Sequence, residues 1–493
     1  MDDAATVTGY VWPDVEYGYI AQQYVPSATV QHLHAMPRIA ADSTFDATQW
    51  AYVRGLIYIT IPFMVLGLVM LVGTLVFMCR CGSGSGYHMS GRVEQPSTRA
   101  CIKASSVVLA LLTIGACGVA IYGDVLMAQG IDLFTNTYTN ATDIIADIES
   151  MAPQVETVAL AAVDILEDVS ELCPDTSETI EGAVAVVTAG SAQVVQELNN
   201  VVERVGEFYT NAEDYQDKLS TICLAQQIVL CAFFALMALL SLVVVNTVFV
   251  SPALLEDTVP FELSDRYALF KGCRAWLRVF LLPLSVMVVV LAFVAVAASF
   301  FVTIGAVDFC IAPDEYISAQ LATNVEERLS YYIHGCDGVN PNTQLIEDSA
   351  QWMVQAEDLL WAQVDGTDNC PANAHDDYTD LMTRLNQTVD VGLQLVNSAR
   401  GYVSCRTVNG IYSEAVHSAG CASVMDGLLF LWAGALVCSV AFAVTVMVYP
   451  RYVTTSLQAM EDKWESTTSV TGLKEKTGTC PGSEGWDEAW RNL

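Results

Sequence analysis

Five long stretches of the chain contain no charged residue, and they cover residues 55–79, 105–123, 225–250, 279–307 and 427–449. An α-helix rises about 1.5 Å per residue, so about 20 apolar residues cross a hydrocarbon core about 30 Å thick. Of the 493 residues, 53% are hydrophobic and only 15% are charged, which is unusual for a soluble protein. We therefore predict an all-α membrane protein with five transmembrane helices.

The positive loop after the first span orients the five helices. Residues 80–104 contain four basic residues and one acidic residue, and short positive loops stay in the cytosol. Since the number of spans is odd, the N-terminus is predicted to be extracellular and the C-terminus cytoplasmic. The first residues lack the basic start and apolar run of a cleavable signal peptide, so we expect the first span to insert uncleaved.

This topology divides the chain into eleven segments. Three are extracellular: 1–54, 128–224 and 308–424. The transmembrane helices are 55–79, 105–127, 225–250, 279–307 and 425–449, and the cytoplasmic segments are 80–104, 251–278 and 450–493. The extracellular segments hold 41 of the 55 acidic residues but only 8 of the 21 basic ones, so most of the net charge of -34 lies outside. They also contain the sequons at Asn140 and Asn386, where we expect glycosylation.

The first large extracellular segment, 128–224, has the seam of a coiled coil. Apolar or small residues alternate at steps of three and four from Ile144 to Leu172, and again from Val184 to Ile222. Between these runs, Pro174 and Asp175 are typical of a turn followed by a helix N-terminus. The segment is therefore predicted to be a long helical hairpin with its tip at Cys173. A seam reports packing and does not by itself identify a function.

The second large extracellular segment, 308–424, is more interrupted. Turn-forming residues occur at 334–342 and 365–377, between helical stretches. The later stretch, 378–402, carries Leu381, Leu385 and Leu395 on one face. We predict a second, shorter helical bundle here.

Seven cysteines lie in the predicted extracellular segments: Cys173, Cys223, Cys310, Cys336, Cys370, Cys405 and Cys421. Cys173 and Cys223 would stand about 70 Å apart along a helical arm, whereas a disulfide needs Cα atoms within about 7 Å. Cys310 and Cys421 each follow or precede a span and are natural partners, with Cys336 and Cys405 nested inside them. Cys370 then remains for Cys173, a bond that would join the tips of the two segments. The partner of Cys223 is left open.

Several strings in the chain are similar to those of a known family. They are VQHLHAMPR before the first span, IYGD at the end of the second, DFCIAPDEYI after the fourth, YYIHGC at 331–336, and CRTVNGIYSEAVHSAGCASVMDGLLFL leading into the fifth. With the order of spans and loops, they resemble the Tweety family and, more distantly, the prominins. The resemblance implies a plasma-membrane protein, a homodimer, and the same nested pairs, Cys310 with Cys421 and Cys336 with Cys405. It also implies either a chloride or volume-regulated anion channel or a lipid-binding, membrane-organising protein.

The charges in this chain favour the lipid-binding function over the channel. An anion pore uses cations or dipole ends along its path, but the five charge-free stretches contain no Lys or Arg. Segments 128–224 and 308–424 carry 35 acidic and 6 basic residues, a balance that repels chloride. A lipid or sterol would instead enter an apolar cleft, with Asp124, Asp308 and Asp426 at its rim. Carboxylates near span ends are also commonly just hydrated by interfacial water.

A third hypothesis is adhesion or dimerisation through the hairpin. Acidic clusters that could bind calcium are Glu167, Asp168 and Glu171, then Glu213, Asp214 and Asp217, and finally Asp376, Asp377 and Asp380. Calcium takes several oxygen ligands, but none of the clusters has the spacing of an EF-hand, and solvated acidic faces are more common. Apart from calcium, bound lipid or sterol, no cofactor is expected.

Signs of catalysis or nucleic-acid binding are lacking in the sequence. Only His32 and His34 form a close histidine pair, and no metal-ligand motif, phosphate-binding glycine loop or nucleophile elbow occurs. Basic patches typical of nucleic-acid binding are also missing. We therefore predict a non-enzymatic protein whose partners are membrane lipids and a second copy of itself.

Overall fold

The computed structural model describes residues 19–37, 45–46, 49–82, 96–174, 177–256, 281–320, 329–340, 342–343, 346–347 and 375–471. At several helix ends and over most of 197–220, the backbone is described but the side chains are not. The predicted all-α fold is confirmed, because all regular secondary structure in the described part is helical.

The described residues include the α-helices α1 Ala28–His34, α2 Trp50–Gly82, α3 Pro96–Leu172, α4 Ser177–Glu256, α5 Leu282–Ile311, α6 Pro313–Gln320, α7 His375–Tyr402, α8 Cys405–Tyr412 and α9 Met425–Thr471. Between α6 and α7, residues 329–333, 342–343 and 346–347 are also helical. A π-helical segment, Ser413–Val424, joins α8 to α9. Within the described part, five helical stretches are long and apolar enough to cross a membrane, and they involve α2, α3, α4, α5 and the helical run that ends in α9. The segment boundaries given above stay a prediction.

The chain divides into two compact units. The first comprises Met1–Ile61, Val119–Ala232 and Ala298–Ala433, and the second comprises Pro62–Gly118, Phe233–Ala297 and Gly434–Leu493. Helices α2, α3, α4, α5 and α9 each contribute residues to both units.

In the first unit, the seam of the α3–α4 hairpin is buried as the heptad pattern predicts. The main apolar cluster takes the seam residues Ala162, Ile165 and Val169 from α3 and Val187 from α4. Leu166 and Ile180, which are not seam positions, also belong to it. Helix α3 ends at Leu172, and Cys173 directly after it is fully buried at the hairpin tip. Asp175, proposed as the cap of the next helix, lies outside the described residues, and Ile222 near the root is exposed rather than in the seam.

Helix α7 completes this core instead of forming a separate bundle. Its residues Leu381, Met382, Leu385 and Val389 belong to the same cluster as the hairpin seam, and Leu395 packs against a neighbouring cluster that contains Ile148 of α3. The sequence predicted a second bundle for 308–424, but its helix α7 packs on the hairpin, because periodicity shows that a helix has an apolar face and not which helix covers it. Much of the rest of that segment lies outside the described residues. Three seams together bury more apolar surface than two.

The N-terminal residues of the first unit pack against the second large segment. The hydroxyl of Tyr19 donates to Asn409 Oδ1 at 2.6 Å, and Ser413 Oγ donates to the carbonyl of Gln22 at 2.7 Å. Val30 and Leu33 of α1 are buried. The predicted turn at 334–342 is also present, with positive φ angles at Gly335, Cys336 and Gly338, two of which are glycines that tolerate this conformation.

The second unit is held by apolar helix packing. A Cβ at Gly67 in α2 would lie 2.6 Å from Cβ of Phe293 in α5, so these helices meet where no side chain fits. Two hydroxyl groups in the unit bond to their own helices: Thr74 Oγ1 donates to the carbonyl of Met70 at 2.7 Å, and Ser439 Oγ to that of Ala435 at 2.6 Å. Such bonds satisfy polar groups in helices surrounded by hydrocarbon.

Candidate functional site

Asp308, at the end of α5, is buried and bound by two side chains that lie far away in the sequence. Tyr52 donates its hydroxyl to Oδ2 at 2.8 Å, and Nδ1 of His34 lies 3.0 Å from Oδ1. The Asp308 side chain is fully shielded from solvent, whereas that of His34 is 25% exposed. A buried carboxylate needs such partners because desolvating an isolated charge costs several kcal/mol.

Four aromatic rings cover the Asp308 site. Phe45 packs edge-on against Tyr52, Phe309 and Tyr316, with ring centroids 5.6, 5.5 and 4.6 Å away. Tyr52, which donates to Asp308, is part of this ring cluster. The disulfide between Cys310 and Cys421 lies two residues further along the chain and fixes the end of α5 to the π-helical segment.

A second carboxylate with histidine and tyrosine partners involves Asp314 of α6. Tyr412 donates to Oδ1 at 2.5 Å, and Nε2 of the buried His417 lies 3.3 Å from the same oxygen. Burial alone would raise the pKa of Asp314, but the hydrogen bonds from His417 and Tyr412, with the charges of His417 and His334, hold it below its usual range. His417 and Cys421 are both in the π-helical segment, a conformation that is frequent at functional sites.

Asp124 in α3 does not lie at an exposed rim, because it is 1% exposed. Its Oδ2 accepts a weak hydrogen bond from Sγ of Cys231 on α4 at 3.6 Å, and its Oδ1 has no hydrogen-bond partner among the described residues. Asp308 is likewise buried rather than at the rim. Neither carboxylate is therefore available to a lipid headgroup in this conformation.

Asp426 is the one proposed rim carboxylate that is exposed. It lies in the first turn of α9, and burial, with the nearby charge of Asp426, raises the pKa of Tyr24. Phe430, one turn further along α9, packs edge-on against Tyr122 of α3 with ring centroids 5.7 Å apart. Tyr122 is 55% exposed and Phe430 is 44% exposed, so this aromatic pair forms a surface beside Asp426. We call Asp426, Tyr122 and Phe430 the rim site.

The rim site exists because α3 and α9 approach very closely beside it. A Cβ at Gly123 would lie 2.4 Å from the backbone nitrogen of Leu431, and one at Gly427 would lie 2.6 Å from that of Met127. Side chains are excluded from the contact itself and therefore emerge along its edge. Paired glycines at helix contacts are common in membrane proteins.

The structure contains both nested disulfides, Cys310 with Cys421 and Cys336 with Cys405. Cys173 is also disulfide-bonded. Its proposed partner, Cys370, lies outside the described residues, so this pairing stays a prediction. Cys223 is a half-buried free thiol.

The other proposed sites are exposed or undescribed. Asn140 and Asn386 are exposed on α3 and α7, as are the acidic residues of the first and third clusters: Glu167, Asp168 and Glu171, and Asp376, Asp377 and Asp380. Glu213, Asp214 and Asp217 lie on α4, but their side chains are outside the described part. Where side chains are described, no group of three or more His, Cys, Asp or Glu residues is arranged to hold a metal ion.

Sequence reasoning missed the partners of the Asp308 and Asp314 carboxylates. His34 and Tyr52 are 274 and 256 residues away from Asp308, and Tyr412 is 98 residues away from Asp314. The strings that contain His34 and His417 were noted for their resemblance to a family, but no spacing rule joins positions so far apart. The exposed pair of Tyr122 and Phe430 was missed for the same reason.

These observations define a multi-pass, all-helical membrane protein with an acidic, disulfide-linked helical unit. The chain belongs to the Tweety family, whose sequence profile matches residues 25–471. It is similar to protein tweety homolog 3 of Danio rerio, with 23% identity over 403 residues, which are 77% of this chain and 64% of the relative. The chain thus matches less than two thirds of that relative's length.

Proposed function

We propose that this Tweety-family protein is a non-enzymatic, lipid-binding protein of the plasma membrane, and that a phospholipid binds at the rim site. The observation that carries the proposal is the exposed aromatic pair, Tyr122 and Phe430, beside the exposed carboxylate of Asp426. Asp426 and Phe430 are four residues apart on α9 and therefore lie on the same face of the helix. Aromatic rings at the ends of spans favour the headgroup level of a bilayer.

The chemistry of the rim site suits a lipid whose headgroup contains a cationic group. A quaternary ammonium, as in a choline headgroup, can lie against the faces of Tyr and Phe rings and near a carboxylate. The acyl chains would then extend from the rim site into the hydrocarbon core. Asp124 and Asp308 take no part, because each is buried.

The channel hypothesis, which the family resemblance also implies, has less support in this chain. An anion pore needs donors that point into its path. In the described spans, the hydroxyls of Thr74, Thr113 and Thr445 donate to carbonyls four residues earlier in their own helices. These hydroxyls are therefore not available to coordinate chloride.

Lipid binding can be measured by native mass spectrometry of the full-length protein released from nanodiscs that contain phosphatidylcholine and phosphatidylglycerol. We expect bound phosphatidylcholine to be retained, and Asp426→Asn and Phe430→Ala each to lower its occupancy several-fold. Val437→Ala is the matched control, because it removes an exposed apolar side chain from the same helix away from the rim site. Equal retention in all four proteins would contradict a specific rim site.

The channel hypothesis is tested separately in proteoliposomes that carry a chloride gradient and a chloride-sensitive dye. We expect the flux to equal that of protein-free liposomes. Robust flux that a substitution in a span abolishes would support the channel and remove the preference for lipid binding.

The predicted orientation and the homodimer belong to this proposal as well. The positive loop at 80–104 supports a cytoplasmic position for that segment. The dimer is implied by the family resemblance, and mass photometry of the protein in nanodiscs would show a particle with two copies of the 53.4 kDa chain. A single copy at all concentrations would contradict it.

A further inference from the structure

Two thiols on different helices meet inside the second unit. Sγ of Cys117 on α3 lies 2.9 Å from Sγ of Cys438 on α9. Cys117 is 1% exposed and Cys438 is fully buried, and both are free cysteines. Sδ of Met237 on α4 lies 3.9 Å from Sγ of Cys438. Three sulfur atoms from three helices are therefore in contact within an apolar core.

The distance between the two Sγ atoms is only slightly longer than a disulfide bond. A disulfide has an S–S length of about 2.05 Å, so the sulfurs would have to approach by about 0.9 Å. Cys231, which also lies in a membrane-spanning stretch, contacts the Asp124 carboxylate instead of a second sulfur.

We propose that Cys117 and Cys438 are a redox modification site, at which a hydroperoxide converts the two thiols into a disulfide that joins α3 to α9. One sulfur attacks the outer peroxide oxygen, which gives a sulfenic acid and releases the alcohol ROH. The second thiol then attacks the sulfenic sulfur and displaces water. In total, two thiols and ROOH give one disulfide, ROH and water, and the peroxide oxygen accepts the two electrons.

The burial of both thiols determines which oxidants reach them. Neither sulfur is accessible to water-soluble enzymes, and thiols in apolar surroundings react slowly because the thiolate form is disfavoured. An oxidant must therefore enter the hydrocarbon, as an organic or lipid hydroperoxide does. This inference is independent of the proposed lipid site, since it concerns other residues in the other unit.

The linkage can be mapped in the full-length protein in liposomes. After treatment with cumene hydroperoxide, free thiols are alkylated, the protein is digested without reduction, and the peptides are sequenced by mass spectrometry. We expect a peptide pair that joins Cys117 to Cys438 and disappears on treatment with dithiothreitol. Hydrogen peroxide at equal concentration should give at least several-fold less of it.

Matched variants separate this site from general oxidation. Cys438→Ser and Cys117→Ser should each abolish the linked pair, whereas Cys231→Ser, which removes a span cysteine that touches no thiol, should leave it unchanged. The oxidised wild type should also melt at a higher temperature than the reduced protein, and the difference should vanish in Cys438→Ser. The proposal is overturned if the wild-type Cys117 and Cys438 stay reduced while Cys231 oxidises, or if either is linked to another cysteine. The wild-type linkage map decides the question even if a variant fails to fold.

Discussion

At the scale of single residues, carboxylates shielded from water are costly, and two of them, the buried Asp308 and the half-buried Asp314, are each bound by a tyrosine and a histidine. Asp308 is bound by Tyr52 and His34, and Asp314 by Tyr412 and His417. His34 and Tyr52 lie within the first 54 residues, and His417 lies in the π-helical segment. Tyr412, the fourth partner, lies in α8. These contacts therefore depend on the packing of distant segments.

Tyr52→Phe should destabilise the protein by about 1–3 kcal/mol, because it removes a hydrogen bond to a buried carboxylate and leaves the ring in place. The measurement is thermal unfolding of the protein in nanodiscs. Tyr58→Phe is the control, since Tyr58 is in the same helix but 39% exposed. An equal effect of both substitutions would show that the bond to Asp308 contributes nothing.

Asp314→Asn should reveal a stabilisation that depends on pH. The pKa of Asp314 is lowered in the folded protein, so its carboxylate stabilises the fold above the unfolded-state pKa of about 4. This contribution is lost as the pH falls through the folded-state pKa. We therefore expect the wild type to melt above Asp314→Asn from pH 7 to about pH 5, and the difference to shrink below about pH 4. Asp337→Asn, at an exposed carboxylate, serves as control at each pH.

At the scale of helices, two kinds of contact hold the chain together. In the first unit, the seams of α3, α4 and α7 interdigitate over large apolar side chains. At the α3–α9 contact, the helices instead approach through Gly123 and Gly427. The heptad spacing in the sequence predicts the first kind of contact. The second kind depends on which glycines face each other, and the spacing does not show this.

Leu166→Ala should cost about 2–5 kcal/mol, because it leaves a cavity in a closely packed core. Leu166 is fully buried among α3, α4 and α7, whereas Leu160 on the same helix is 59% exposed. Leu160→Ala should therefore change stability by less than about 0.5 kcal/mol. Both are measured by chemical unfolding, and similar effects would contradict a three-helix core.

Gly123→Ala should destabilise the protein strongly, since the new Cβ would overlap backbone atoms of α9 that cannot rotate away. Gly118→Ala is a matched substitution five residues earlier in α3, where a Cβ meets nothing within 4 Å. It should be neutral or stabilise the helix by up to about 1 kcal/mol. The measurement is the fraction of each variant that elutes as a monodisperse peak in size-exclusion chromatography. Equal fractions for the two variants would refute the close α3–α9 contact.

At the scale of the whole molecule, the predicted topology would place most of the acidic residues on one side of the membrane. The disulfide between Cys310 and Cys421 spans 111 residues, and that between Cys336 and Cys405 spans 69. Disulfides persist in oxidising compartments. Their presence is consistent with the predicted extracellular side for this part of the chain.

Glycosylation tests this topology directly. Asn140 and Asn386 are exposed, and we expect both to be glycosylated in a eukaryotic host. Treatment with peptide N-glycosidase should lower the apparent mass, and Asn140→Gln combined with Asn386→Gln should remove the shift. Each single substitution should remove about half of it. An unglycosylated wild type that reaches the cell surface would contradict the predicted orientation.

The sequence by itself determined the elements of this protein: five apolar stretches, the hairpin seam, the nested cysteines and the family. These are local signals, since hydrophobic length, helical period and cysteine position can be read within one segment. Only the tertiary structure decided that α7 joins the hairpin core, that Asp124 and Asp308 are buried while Asp426 is exposed, and that Cys117 meets Cys438. A helix has several faces, and which of them is covered depends on side chains hundreds of residues away.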